Sequence, residues 1–304
     1  MNRAKGVLTI AHSRPKYLKQ AVNLARSIRL RTPDVPLAVA TDLDPAAFEG
    51  LYEHVIPWDF SRWPGVVCKL DSYAMSPFET TLFVDADCLA VRSVQLVFDY
   101  FAGQDFAVFG KNEVTMRFFR SPARIRAVVP SPTYPIFNGG LYYFTKSPQA
   151  ERIFANAKAL FKIYSELDLA FIYHLSSDRK GIESVEPLIS LAMAKAGLKA
   201  TDDPRLDVMF VPEPPLFRME MDILAGECSF VRRGRMVRPV LPHFVGLSDS
   251  TYVYLRETLR LEAAFRARGF SRWRDGVARA RACTMFVLSR LRARCRAGQL
   301  RSFR

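Results

Sequence analysis

The 304-residue chain lacks several features that would classify it at once. Its five cysteines, at 68, 88, 228, 283 and 295, include no Cys-x-x-Cys pair. Such an odd, scattered set argues against a disulfide framework or a cysteine-rich zinc site and predicts reduced thiols. No stretch approaches the ~18 consecutive apolar residues of a membrane span. The early apolar run "GVLTIA" is interrupted by His12 and Arg14, too soon for the core of a signal peptide. The chain is therefore expected in the cytoplasm. There is no internal repeat, and no Ser-His-Asp or Cys-His arrangement that would point to a nucleophilic hydrolase. Of the four histidines, His54 and His174 fall in no pattern and read as structural.

What is present describes a globular protein: 49% hydrophobic and 12% aromatic residues. This length suits one large domain or two small ones. The net charge of +14 is unevenly spread. Thr251 to Arg304 holds 14 arginines, no lysine and three acids, a net of +11 that leaves +3 for the other 250 residues. Basicity concentrated in a tail weakens a nucleic-acid reading, and the tail offers few aromatics for base stacking.

Apolar runs alternate with helical periods from the start. "GVLTIA", "PLAVAT", "HVIP" and "TTLFVD" read as strands. "KYLKQAVNLARSIRLR" reads as a helix with Leu18, Val22, Ala25 and Ile28 on one face, stopped by Thr32-Pro33-Asp34. Lys69 to Met75 and Ser93 to Phe101 suit short helices, and "DFAVFG" a strand. Lys111 to Pro135 is polar, rich in arginine and broken by proline, and reads as a long loop. "FNGGLYYF" reads as a strand led by glycine. Ser147 caps the helix "PQAERIFANAKALFKIY", with Pro148 at its first position. "EPLISLAMAKAGL" reads as a helix, and "MFVPEPP" and "RPVLPHFVG" as extended segments. This alternation predicts an α/β protein with a mostly parallel sheet flanked by helices, where ligands sit at the carboxyl ends of strands.

The stretch "LFVDADCLAV" stands out, because two aspartates end an apolar strand. In extended chain, residues i and i+2 point the same way, so Asp85 and Asp87 can converge on one cation. Oxygen ligands favour Mg²⁺ or Mn²⁺, commonly shared with substrate phosphates.

Around these aspartates "CKLDSYAMSPFETTLFVDADCLAV" resembles the core of nucleotide-sugar glycosyltransferases of the GT-A fold, and in particular the family-8 type of bacterial lipopolysaccharide sugar transferases and glycogenin. "LTIAHSRPKYLKQAVNLARSIR" is similar to the family's opening strand, nucleotide loop and helix. "FNGGLYYF" resembles its acceptor-side strand, "VEPLISLAMAKAG" its carboxamide-bearing helix, and "HFVG" its late His-x-x-Gly. The match runs in consistent order over residues 6 to 248.

The resemblance implies a metal-dependent enzyme that moves a hexose from a nucleotide-diphosphate sugar to a glycan or lipid-linked acceptor, with retention of configuration. It implies Asp85, Asp87 and His243 as metal ligands, and the imidazole favours Mn²⁺ over Mg²⁺. Lys69 would meet the diphosphate or donor sugar, and Asn138 the donor sugar. Gly139 and Gly140 would let backbone approach the ligand. Glu186 would lie beneath the sugar ring. Ala11, His12 and Tyr17 would hold base and ribose, with Asp85 near the ribose. Two departures stand out: Val185 replaces the family's acidic residue before Glu186, and Leu247, Ser248 and Asp249 replace the usual Lys-Pro-Trp.

The expected organisation is a GT-A-like domain over 1–248 and a basic helical tail over 249–304. In the tail, Trp273, Val277, Ala280, Thr284, Val287, Leu288, Leu291 and Cys295 fall in one sector about 100° wide when plotted as a helix. Arg274, Arg281 and Arg292 flank one side, and Arg279, Arg290 and Arg294 the other. Met285 and Phe286 fall outside. The pattern fits a helix lying on an anionic inner-membrane surface, each basic residue contributing ~1 kcal/mol, or a helix packed on the domain.

Two rival functions remain open at this point. Haloacid-dehalogenase phosphatases also end a strand in Asp-x-Asp, the first acting as nucleophile. They place that strand first in the chain and follow it with Thr or Val where Leu89 stands here. A non-catalytic carbohydrate-binding protein of the same fold is the other.

Overall fold

The computed structural model describes residues 5–63, 65–115, 119–169, 184–202, 207–212, 219–246, 251–266 and 272–301, with side chains in the last segment given for 274–288 and 290. His174, Leu247, Ser248 and Asp249, the 248/249 boundary, and the side chains of Trp273, Leu291, Arg292, Arg294 and Cys295 lie outside the described residues. The chain forms two compact units. One comprises Met1–Leu18, Val35–Ala86 and Gln95–Arg205; the other comprises Lys19–Asp34, Asp87–Val94 and Leu206–Arg304.

The first unit is built on a six-stranded sheet. Strands β1 (Lys5–Ala11), β2 (Leu37–Thr41), β3 (His54–Pro57) and β4 (Thr80–Val84) form its parallel part, in the order β3-β2-β1-β4. Further along the chain come β5 (Phe106–Ala107), β6 (Gly110–Glu113), β7 (Tyr134–Phe137) and β8 (Leu141–Thr145). β8 runs antiparallel to β4, and β5 antiparallel to β8. The parallel strands are near-continuous apolar runs because both faces are covered; every residue of β2 is buried. Stepping from β1 the chain goes to β2 on one side and later to β4 on the other. That reversal makes a switch point at the carboxyl ends of β1 and β4, where an open sheet leaves a crevice.

Helix α1 (Pro15–Arg31) follows β1 and carries the chain from the first unit into the second. Its fully buried face is Ala21, Leu24, Ala25 and Ile28, an i, i+3, i+4, i+7 stripe with Gln20 and Ser27 beside it. The predicted stripe shared only Ala25 and Ile28, with Leu18 and Val22 half-buried at its margin. Lys69 to Met75, predicted as a helix, divides: Gly65–Asp71 is 3₁₀, and only Ser72–Met75 (α2) is α-helical. The Ser72 hydroxyl donates back to the Lys69 carbonyl at 2.7 Å, which holds the tighter turn in place. Helix α3 covers Gln95–Tyr100.

The predicted loop from Lys111 to Pro135 is corrected. It contains most of β6, the short helix α4 (Pro122–Val128) and the start of β7. β6 and β7 form an antiparallel pair. A β-carbon at Gly110 would lie 2.0 Å from the Ile136 carbonyl oxygen, so this ladder needs glycine there. The predicted strand "DFAVFG" accordingly stops at Ala107, and its final glycine opens β6 instead. Helix α5 (Pro148–Lys162) has the predicted cap, Ser147 Oγ accepting from Ala150 N at 3.2 Å. Helix α6 (Val185–Lys195) is capped by Ser184, whose hydroxyl accepts from Glu186 N at 3.3 Å.

The second unit contains β9 (Met209–Phe210), β10 (Glu220–Asp222), β11 (Glu227–Arg232), β12 (Arg235–Val237) and β13 (Leu241–Pro242). β10-β11-β12 is an antiparallel meander, and β13 pairs with β9 in parallel. Helices α7 (Tyr252–Arg266) and α8 (Arg272–Arg301) pack on each other. The face of α8 against the unit is Ala278 and Ala282, both buried, with Phe286 edge-on to Tyr252 at 5.9 Å. The predicted apolar sector is a different face: Val277, Val287 and Leu288 are exposed. No helix among the described residues is long and apolar enough to cross a membrane.

Candidate functional site

In the first unit, the side chains at the carboxyl ends of β1 and β4 are linked through a chain of contacts. β1 ends at Ala11, whose carbonyl accepts from Thr41 Oγ1 at 2.6 Å. His12 follows, its ring stacked on Phe60 at 4.6 Å and facing Tyr17 at 6.1 Å, both near parallel. Burial lowers the His12 pKa; the Asp42 carboxylate and a backbone hydrogen bond at Gly65 oppose that. Ser13 holds a left-handed φ of 66° while its N–H donates to Asp42 Oδ1 at 2.8 Å. His12 Nε2 lies 3.6 Å from Cys68 Sγ, and burial pushes that thiol up to about 12, which keeps it protonated and unreactive.

Lys69 is the next residue. Its carbonyl is fixed by Ser72 and by the buried Tyr142 hydroxyl at 3.3 Å. Its ammonium pairs with Asp85 Oδ2 at 2.6 Å, donates to the Gly139 carbonyl at 3.4 Å and lies 5.8 Å above the Phe83 ring. Asp85 N in turn donates to the Gly140 carbonyl at 2.8 Å. The loop before β8 is therefore bound to the end of β4. Asn138 Oδ1 accepts from Gly140 N at 2.9 Å, closing a turn. Gly139 N donates to Glu186 Oε1 at 2.8 Å, which draws the first turn of α6 to the same place. Residues predicted from distant stretches, Lys69, Asp85, Asn138, Gly139, Gly140 and Glu186, thus form one hydrogen-bonded set.

Gly139 is sterically required. A β-carbon there would lie 2.6 Å from Glu186 Cγ. Gly139→Ala is expected to displace the Glu186 carboxylate and to destabilise the unit by about 1–3 kcal/mol. Thermal melts of that variant beside Glu186→Ala check this, since the clash is relieved when both changes are combined.

Asp87 and His243 belong to the second unit. His243 Nε2 is 3.0 Å from Asp87 Oδ1, with the histidine side chain 5% exposed and the aspartate 21%. The Asp87 carbonyl accepts from Phe244 N at 3.0 Å. An imidazole nitrogen beside a carboxylate oxygen is a donor set that fits a divalent metal ion. Among the described residues Asp87, Cys88 and His243 form a possible metal-holding group. Phe60, Cys68, Asp42, Tyr142 and Cys88 were not singled out by sequence as site residues. Only Asp42, at a strand end, carried any positional signal.

No family model matches the sequence, and no curated protein matches it. The fold does have solved counterparts. A galactosyltransferase, LgtC, in complex with donor and acceptor sugar analogs is 14% identical, with a TM-score of 0.50 over 79% of this chain and 87% of that one. The bifunctional glycosyltransferase WbbM is 12% identical over 69% of this chain and 40% of its own, with a TM-score of 0.45. Mouse xyloside xylosyltransferase 1 is 10% identical over 70% and 89%, with a TM-score of 0.44. The first of these establishes the architecture: a mostly parallel sheet flanked by helices, the GT-A glycosyltransferase fold.

Proposed function

We infer, from a chain with the fold of GT-A glycosyltransferases, that the protein transfers a hexosyl group from a nucleoside-diphosphate sugar to a glycan or lipid-linked hydroxyl. One observation carries this reading: Lys69, Asp85, Gly139 and Glu186 are hydrogen-bonded together at the carboxyl ends of β1 and β4. The Lys69 ammonium held on Asp85 sets a fixed cation beside the strand end. A diphosphate leaving group gains a cation.

In the transfer, the bond from the anomeric carbon to the phosphate oxygen breaks and its electron pair leaves with the diphosphate. The acceptor oxygen bonds to the anomeric carbon and loses its proton. Lys69 opposes the charge that develops on the departing oxygens. Glu186, held by Gly139, faces the cationic character that develops at the sugar. Asn138 and the two glycines contact the donor sugar, and Ala11, His12 and Tyr17 the base and ribose. If configuration is retained, the hydroxyl arrives on the face the diphosphate vacates, and the departing oxygen is its nearest base.

Asp87 and His243 are the proposed holders of a divalent ion, Mn²⁺ in preference to Mg²⁺. Such an ion would supply further neutralisation of the diphosphate. The test is product analysis with a panel of nucleotide-sugars and Mn²⁺. Release of nucleoside diphosphate with a new glycosidic bond, or slow donor hydrolysis without acceptor, is the expected result. Phosphate release from simple phosphate esters without sugar nucleotide would replace this reading with the phosphatase.

The exposed face of α8 suits an anionic leaflet, with Val277, Met285, Val287 and Leu288 beside Arg281 and Arg290. Each basic residue near such a surface contributes about 1 kcal/mol. Deleting the tail would take Asp275 from Arg260 and Phe286 from Tyr252 of α7, so point changes are the cleaner probe. Val287→Asp with Leu288→Asp is expected to abolish flotation with vesicles containing phosphatidylserine while leaving the melting profile unchanged. Equal flotation would dismiss the membrane role.

A further inference from the structure

The metal ligands considered so far offer oxygen and nitrogen, but the second unit also places a sulfur among them. Cys88 directly follows Asp87, and its backbone forms an isolated antiparallel bridge with His243. The bonds on either side are made by the neighbours, Phe244 N to Asp87 O at 3.0 Å and Leu89 N to Pro242 O at 3.2 Å. Cys88 and His243 are therefore a non-hydrogen-bonded pair, the arrangement in which facing side chains stand closest. Cys88 is fully buried and His243 is 4% exposed. The ligand atoms of Asp87, Cys88 and His243 all lie within 4.8 Å of one another.

We propose that Cys88 is a ligand of the divalent-ion site, giving an O, S, N donor set that takes a thiophilic or borderline ion, Zn²⁺ above all, in competition with Mn²⁺. The proposal rests on the reading that Asp87 and His243 hold metal. Bond lengths of about 2.0–2.3 Å to Zn²⁺ put tetrahedral donor atoms about 3.3–3.8 Å apart, so 4.8 Å closes with a side-chain adjustment of about an ångström. Coordination takes the sulfur as thiolate and releases its proton to solvent. A thiolate adds little affinity for a hard ion such as Mg²⁺ and much for Zn²⁺, Co²⁺ or Cd²⁺. Zn²⁺ binds most nitrogen and oxygen sites more tightly than Mn²⁺ in any case. The diagnostic quantity is therefore how much of the Zn²⁺ preference depends on Cys88.

The experiment uses the reduced, metal-free full chain. Titration with Cd²⁺ or Co²⁺ reads the thiolate-to-metal charge-transfer absorption. Competition against Zn²⁺ and Mn²⁺ then gives relative affinities, for the natural protein and for Cys88→Ser. The expected result is a charge-transfer band in the natural protein that is absent from the variant. Zn²⁺ affinity should fall by about tenfold or more in Cys88→Ser, with Mn²⁺ affinity changed by less than about threefold. X-ray absorption of the Zn²⁺-loaded natural protein needs no variant, and should show a sulfur neighbour at the metal. Absence of that neighbour, or a band that persists in Cys88→Ser, overturns the assignment. Nucleoside-diphosphate binding with and without Mn²⁺, measured alongside, reads the parent function separately. A Cys88-dependent band without Mn²⁺-tightened nucleotide binding keeps the metal site and sinks the glycosyl-transfer reading. Tightened binding with no sulfur at the metal does the reverse.

Discussion

Asp87→Asn is expected to remove the tightening of nucleoside-diphosphate binding by Mn²⁺ and to lower glycosyl transfer by about 10²–10³-fold, the loss typical when one group stabilising developing charge is removed. The substitution preserves volume and the contact to His243, because the asparagine oxygen can still accept from the imidazole at the 3.0 Å separation. What it removes is the negative charge, and charge is what a divalent ion needs from this position. The fold should be indifferent: Asp87 contributes its backbone carbonyl to Phe244 N, and that bond remains. Thermal shift with nucleoside diphosphates, with and without Mn²⁺, separates the two effects. The natural protein should be stabilised by nucleotide more strongly with metal than without. Asp87→Asn should show the same small shift in both. Asp59→Asn is the matched control, because that carboxylate is 63% exposed and lies in another turn. A variant that keeps its metal-dependent shift would remove Asp87 from the site.

Much of the placement of these candidate residues was legible in the sequence, for a local reason. The apolar runs of β1, β2 and β4 are bounded by polar residues at their carboxyl ends, so the strand ends could be located to within a residue. Asp85 and Asp87 then follow from position alone. Helix α5 was legible through its cap, since Ser147 and Pro148 act within one turn. Features that depend on distant partners were not legible. β6, "GKNE", has no apolar period; it is a strand because β7 pairs with it from more than 20 residues away. Cys88 follows Asp87 in the sequence, but nothing local marks it as a neighbour of His243. Their bridge is set by the flanking bonds to Pro242 and Phe244. In α8 the helical period was real, yet it located an exposed sector. The face that packs carries small residues, Ala278 and Ala282, which a hydrophobicity pattern weighs lightly.

Those small residues let α8 approach α7 closely, and charged groups around them lock the approach. Arg260 on α7 is 2% exposed, with Nη1 bonded to Glu257 at 2.7 Å and Nη2 to Asp222 at 3.0 Å, while Nε donates to Asp275 of α8. Glu257 is fully buried and also accepts from Ile223 N at 2.8 Å. Burial alone would lower the arginine pKa, but the bonds to Asp222 and Asp275 raise it, so the cation is firmly held. Arg260→Met fills similar volume and leaves these acids without their shared partner. The expected cost is about 3–5 kcal/mol. That corresponds to a fall in Tm of about 6–20 °C for a unit of this size. Arg266→Ala, at an exposed i, i+4 pair with Glu262, should cost about 0–1 kcal/mol. The pH dependence gives an independent check. Burial would raise the Asp222 pKa, but its hydrogen bonds, Arg260 first among them, hold it below the ordinary 3.8. A depressed carboxylate stabilises the fold above its unfolded pKa, and that contribution is lost as pH falls through the folded value. Protonated Asp222 needs no cation, so the Tm gap between the natural protein and Arg260→Met should narrow as pH is lowered below about 3.8. A gap that is small at neutral pH, or constant down to acid, would mean that α7 and α8 are held by packing alone.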